Sequence, residues 1–230
     1  MKKQILLAAT VLFSAGMLFI TGCKKDDTSD PVVTLKGSAT EKVVLNTPWT
    51  DPGATAEDDK DGVLTATPSK VVDVNKAGVY QIVYSATDAA GNTGTDTRTV
   101  TVYNEAEAVW AGTYSKASET DANGLYTYNA AKPFIVTAST TKNNRVIMNR
   151  LGDFDNNTVY MDITGSTIEI PSQTVTKVGS GTANCDVHDR KTQGSGSKTT
   201  IPNGFTLSYS DEKVAPCSGT RSGVVANFVK

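Results

Sequence analysis

The chain has 230 residues, 22 basic and 24 acidic side chains, one histidine and a formal net charge of −2. That balance leaves no basic excess to track a phosphate backbone, so nucleic acid is not an expected partner. Glycine, threonine, serine and valine recur, long helical periodicity is missing and turn residues come every few positions, which together predict an all-β chain of short strands.

Lys2 and Lys3 precede a continuous apolar stretch from Ile5 to Ile20, the layout of a secretory signal segment. It falls short of the roughly 20 apolar residues that cross a hydrocarbon core. Ile20-Thr21-Gly22-Cys23 resembles the lipobox of bacterial lipoproteins, with isoleucine where leucine is commoner. The resemblance implies a signal peptide at 1–22, lipidation of Cys23 and a lipidated tether at 23–30; the competing reading is an uncleaved anchor with an incidental cysteine. One acyl chain binds a membrane only marginally, so the several chains of a lipoprotein are what make anchoring lasting. Lys24-Lys25-Asp26-Asp27 resembles the surface-export signal of Bacteroidota lipoproteins, against an ordinary solvated tether. An outer-membrane, lipid-anchored and surface-exposed location is expected, with a periplasm-facing one as the alternative.

Removing the signal leaves roughly two hundred residues, enough for one large or two modest domains. Val32 to Leu35 and Lys42 to Leu45 read as short strands, broken by Gly37 and Pro48. In Gly78 to Val102 the residues Tyr80, Ile82, Tyr84 and Ala86 share one face at period two. Arg98, Val100 and Val102 do the same after a corner at Asp88 to Asn92, where Gly91 supplies a positive φ. Pro31 to Leu35, Trp49 to Ala54, Asp58 with Asp61-Gly62, Ala77 to Tyr80, Tyr84 and Thr87 to Asn92 resemble the bacterial immunoglobulin-like domain. That family includes the modules of pesticidal crystal-type proteins and is similar to hyalin repeats. The resemblance covers 31–103 and implies a β-sandwich spacer or adhesive module without catalysis. The acidic run Glu57-Asp58-Asp59-Lys60-Asp61 offers Glu57, Asp59 and Asp61 as weak cation ligands. An EF-hand would want glutamate where Pro68 stands, so a solvated turn is the competing reading.

Residues 104–108 read as a short polar link that permits limited pivoting, and 109–230 as a second β-rich domain, a small antiparallel barrel or sandwich. Trp110-Ala111-Gly112-Thr113-Tyr114 superficially resembles the opening of lipocalin-like barrels. Strands are expected at 134–138, 145–149, 205–209 and 224–229. A hairpin is expected at 159–170, with Gly165-Ser166 as a type II′ turn. Its register sets Ile163 against Ile168, Met161 against Ile170 and Asp162 against Glu169. That like-charged pair implies a bound ion, a neighbouring cation, a slipped register or plain solvent screening. Gly165 to Val175 and the downstream GFTLSYS resemble the C-terminal domain of uncharacterised Bacteroidota lipoproteins, which implies architecture rather than activity.

Cys185 and Cys217 form an even pair in an exported chain, so a disulfide is expected, closing a loop worth about 3 kcal/mol if unstrained. With His188 they make at most three zinc ligands, and a closed structural site takes four. Nucleophile elbow, phosphate loop and haem motif are all missing, so no cofactor and no catalysis are expected. The expected role is non-catalytic binding of a glycan or protein, with Trp110, Tyr126 and Tyr128 as stacking candidates. The alternative is a structural subunit of an outer-membrane complex, contacting a protein partner through a sheet edge, and behind both stands a glycoside-active enzyme built on paired carboxylates.

Overall fold

The computed structural model describes residues 26–114, 116–121, 124–127, 133–151, 158–175, 189–199, 203–213 and 220–230. Two sheets form an N-terminal sandwich. One has the order β1 (Val32–Leu35), β3 (Ala54–Asp58), β4 (Gly62–Leu64); the other runs β2 (Thr40–Val44), β7 (Thr93–Tyr103), β6 (Gly78–Thr87), β5 (Thr67–Pro68). β6 and β7 make a hairpin in register from Gly78 opposite Val102 to Thr87 opposite Thr93, and β2 lies parallel to β7. The period-two pattern decides what is buried: Ile82, Tyr84, Ala86, Arg98, Val100 and Val102 face the core, and Tyr80 packs half-buried against it.

Arg98 is fully buried on that apolar face and survives there because its whole fork is engaged. It pairs with Asp51, donates to the Tyr84 hydroxyl at 3.2 Å, and reaches the carbonyls of Lys36, Ser38 (3.1 Å) and Gly53 (3.2 Å). The Tyr84 hydroxyl donates to Asp51, and burial, with that hydrogen bond, pushes its ionisation up to about 12.

The second domain is one ten-stranded antiparallel sheet. β11 (Phe134–Ala138), β12 (Arg145–Met148), β13 (Val159–Thr164), β14 (Thr167–Val175), β15 (Arg190–Thr199), β16 (Gly204–Lys213) and β17 (Thr220–Val229) each pair with the next. β8 (Gly112–Tyr114) pairs with β11, and β9 (Lys116–Asp121) pairs with β17. Two strands one residue apart therefore touch both ends of the meander and curl the sheet into a half-barrel with β8 and β10 at its edges, nearer the barrel than the sandwich of the two expected forms. β10 (Gly124–Thr127) is an edge strand on β9.

The 159–170 hairpin has the expected register, with Gly165 at φ 60° and Asp162 opposite Glu169. The like-charge conflict is resolved by a neighbouring cation. Arg145, one strand over, grips Asp162 through Nε at 2.6 Å and Nη2 at 2.8 Å, and Lys142 adds a contact at 3.1 Å. These partners, Arg145 foremost, hold the Asp162 carboxyl below its usual range against the opposing effect of burial. β14 runs beyond the expected Ile170 to Val175, with a register shift between Ile170 and Gln173 that accommodates Pro171.

The link between the domains is engaged by the second domain through Asn104. A single-turn helix α1 (Glu107–Trp110) begins within the last two residues of that link. Asn104, at 2% exposure, inserts its amide into the β11–β12 hairpin, donating to the carbonyls of Ser139, Lys142 and Arg145 at 2.9, 3.0 and 2.9 Å. Its oxygen accepts from the backbone N–H groups of Ala106 and Asn144, both at 3.0 Å. From the sandwich side the Ala77 N–H donates to the Thr140 carbonyl at 2.7 Å, and Asn46 exchanges bonds with Thr141 and Asn143. Asn104, Glu105 and Glu107, interspersed with alanines, read as a solvated join; the hairpin that receives Asn104 lies some forty positions away and leaves no trace in the link itself. No helix among the described residues is long and apolar enough to cross a membrane.

Candidate functional site

Because neighbouring strands are antiparallel, the barrel has two distinct ends. The β11–β12 hairpin that grips Asn104 and the Gly165-Ser166 turn lie at the end next to the sandwich. The strand ends Met148, Val159, Val175, Arg190, Lys213 and Thr220 lie at the other. The interior toward the sandwich is an aromatic plug: Phe205 stacks on Phe228 at 4.6 Å, and Tyr114 and Phe134 meet them edge-on at 4.8 and 5.0 Å. Toward the far end the buried wall turns polar, with Glu119, Arg190, Thr192 and Asp211 all under 9% exposed. Arg190 pairs with Asp211 at 3.0 Å, and the Tyr209 hydroxyl donates to Glu119. One charge pair and a tyrosine-held carboxylate thus stand at the mouth; the chemistry they offer is orientation of a polar group, and none of them is a nucleophile set against a base.

Trp110 is corrected by this arrangement. It is 3% exposed, tilted against Phe205 at 6.2 Å, with its carbonyl accepting from the Tyr114 hydroxyl, so its indole face belongs to the core and is closed to a ligand. Tyr126 lies on the edge strand β10, in register with Glu119 of the polar wall. Tyr128, Cys185, Cys217, His188 and Cys23 lie outside the described residues. The Glu119, Arg190 and Asp211 set escaped sequence reasoning. Arg190 opens a Gly- and Ser-rich run, and the other two sit among polar neighbours with no apolar pattern to show that they turn inward.

The acidic run of the sandwich folds differently from its linear order. Glu57 is exposed on β3, and Asp61 accepts from the Ala89 N–H at 2.6 Å, tying the β3–β4 turn to the β6–β7 corner. Asp58, 5% exposed, turns inward and accepts from the N–H groups of Lys60 and Asp61 through Oδ1 at 2.9 and 2.8 Å. Asp27 arrives from the segment before β1: Lys60 reaches it at 2.9 Å, and the Asn92 side chain donates to its carbonyl at 3.1 Å. One oxygen each from Asp27, Asp58 and Asp59 lies within 4.8 Å of the other two. Of the three sequence candidates only Asp59 joins this group. Asp58 was visible in the run but not its inward orientation, and Asp27 is brought there by tertiary structure alone.

Residues 33–102 match the model of the family described as bacterial surface protein, Ig-like domain. This sandwich is a bacterial surface Ig-like domain. Two solved structures are similar at 16% identity. One is a lipoprotein of Bacteroides thetaiotaomicron, with a TM-score of 0.33 over 86% of this chain and 99% of that one. The other, from Clostridium perfringens ZmpB, holds a carbohydrate-binding module in complex with GlcNAc and INT domains. It has a TM-score of 0.26 over 87% of this chain, which spans only 48% of that one. No protein of curated function matches. Where the Ig-like domain meets the barrel there is a cleft of about 470 Å³ lined by Val79, Thr101, Asn104, Glu107, Thr137 and Ser139 among others. Asn104 is committed to the hairpin there, so the cleft reads as the seam of a docked pair of domains.

Proposed function

We propose that the chain is a lipid-anchored, surface-displayed, non-catalytic binding protein of the bacterial outer membrane, in which the Ig-like domain is a spacer and the barrel is the binding head. The observation that carries this reading is the order of parts along one axis. Asp27 of the tether lies beside the Asp88–Asn92 corner at one end of β6 and β7, while Ala77 and Asn104 grip the barrel hairpin at the other. Strands of ten and eleven residues set these ends roughly 33 Å apart at about 3.3 Å per residue. The polar mouth of the barrel is turned further still from the tether. A signal-like segment ending in Cys23, and the surface-protein family of the Ig-like domain, support attachment at the near end.

The ligand class proposed is a glycan, taken at the mouth with Tyr126 and Tyr128 as stacking surfaces and the Glu119, Arg190 and Asp211 wall behind them. A glycan array and affinity gels with extracellular polysaccharides test this, scored with Tyr126→Ala plus Tyr128→Ala. Retention lost in the double variant is expected; no retention on any glycan overturns the ligand class. A second reading is favoured by β10 being an edge strand, which offers unpaired backbone to an extended segment of a protein partner. A stoichiometric partner captured from detergent-solubilised outer membranes, and lost on Leu125→Pro, would establish it. Mass spectrometry of the mature protein tests the anchor, with a diacylated Cys23 at the N-terminus as the expected result.

A further inference from the structure

The acidic corner of the Ig-like domain carries an inference beyond spacing and display. Asp58 is 95% buried by its 5% exposure, and while Oδ1 takes two backbone N–H groups, Oδ2 is buried with no hydrogen-bond partner. A buried carboxylate oxygen without a donor is costly and asks for a water or an ion. The Asp58 carboxylate belongs to the set in which Asp27, Asp58 and Asp59 each bring one ligand oxygen within 4.8 Å of the others. Oxygens on opposite sides of a calcium ion, each at 2.3–2.6 Å, are about 4.6–5.2 Å apart, so this spread suits one ion. Asp61 and Asp88 stand close by but are held by backbone N–H groups and by the Asn92 amide. They leave the three-carboxylate set distinct and add to its negative potential.

We infer that Asp27, Asp58 and Asp59 bind a divalent cation, calcium in the extracellular medium, and that the ion staples the tether to the Ig-like domain. Asp58 Oδ2 and one oxygen each from Asp27 and Asp59 supply the first ligands, and water fills the remaining positions. Lys60, whose side chain is 43% exposed and salt-bridged to Asp27, is the internal competitor and swings to solvent when the ion enters. A site of this openness, sharing its anionic charge with a lysine, belongs with extracellular calcium modules at about 10⁻⁴–10⁻³ M. The tether then leaves the domain in one direction, which fixes how the barrel stands above the membrane.

Equilibrium dialysis of calcium against the full chain tests the inference, with circular dichroism on every variant. One calcium per chain, saturating below about 10 mM, is expected, with a rise in Tm of several degrees over the chelated protein. Asp59→Asn should weaken binding at least about tenfold and Lys60→Met should tighten it, since charge counts directly in such sites. Asp58→Asn should abolish binding. If that variant fails to fold because it also caps the turn, the exposed Asp59 decides. Hydrogen exchange at residues 26–30 should slow on adding calcium. No saturable binding below 10 mM, the outcome a buried water at Oδ2 predicts, overturns the inference. So does unchanged affinity in folded Asp59→Asn, and calcium-independent exchange at 26–30 overturns the stapling. Glycan binding is read separately, so failure of one test leaves the other standing.

Discussion

Replacing Asn104 by alanine removes the buried side chain around which the barrel hairpin closes. Its two amide hydrogens serve three carbonyls and its oxygen serves two N–H groups, so four hydrogen-bonding capacities are lost at a position 2% exposed. At about 1 kcal/mol net for each, the loss is about 4 kcal/mol, reduced toward 2 where water enters the vacated space. For a domain of this size 1 kcal/mol moves Tm by about 3–5 °C, so the barrel transition should fall by about 6–20 °C in calorimetry. Loss of the clasp also frees the join, so the rotational correlation times of the two domains should separate in NMR relaxation. Asn143→Ala, at the exposed rim of the same contact, should cost under about 1 kcal/mol. Asn104→Ala with Tm lowered by less than about 3 °C and both domains still tumbling together would show that the join is held by something other than this amide.

Three further outcomes follow from the buried and paired groups. Asp162→Asn should cost about 1 kcal/mol at pH 7 by loosening the two-bond Arg145 contact, read by urea unfolding. Because the folded pKa of Asp162 is depressed, its contribution is present above the unfolded value of about 3.9 and vanishes as pH falls through the lower folded value, so wild type and variant should converge in acid. Tyr84 should be the last described tyrosine to give phenolate absorbance, near pH 12. A raised folded pKa means that its stabilisation is intact below about pH 10 and is lost as pH rises through 12, and phenolate formation at Tyr84 with the ordinary midpoint would refute the Asp51 contact. Gly94→Ala should destabilise the Ig-like domain by more than about 2 kcal/mol, since a Cβ there would sit 1.7 Å from the Pro31 carbonyl oxygen; unaltered urea midpoints would mean that β1 yields freely.

How much of this was readable in the letters depended on whether a residue's partner lies on the same pattern. β6, β7 and the β13–β14 hairpin were legible because alternation and turn chemistry agree within one stretch, and even the Asp162–Glu169 conflict followed from register alone. The answer to that conflict did not follow, because Arg145 comes from another strand pair. β15 was invisible for a physical reason: RKTQGSGSKT has the composition of a loop, yet β16 requires its glycines. A Cβ at Gly194 would fall 2.3 Å from the Ser208 carbonyl oxygen, and one at Gly196 2.1 Å from that of Thr206. Short strands such as β4 and β5 carry too few residues for a period to show. In the candidate sites, residue types were legible and convergence was not, as Asp27 beside Asp58 and Glu119 beside Tyr209 illustrate.

Apart from the polar wall of the second domain, three of the buried polar groups among the described residues, Arg98, Asn104 and Asp58, sit at joints. Arg98 draws Lys36, Ser38, Asp51 and Gly53, all from the connections that bridge the two sheets, onto the β6–β7 face. Asn104 does the same between domains, and Asp58 holds the β3–β4 turn from which Lys60 reaches Asp27 of the N-terminal segment. Apolar packing of equal volume would hold each joint as strongly, because desolvation consumes much of what a buried charge returns. It would also tolerate neighbouring arrangements, since a greasy contact has no required direction, whereas a guanidinium or an amide left unpaired does. Directional contacts at successive joints therefore fix the attitude of each part as well as its fold.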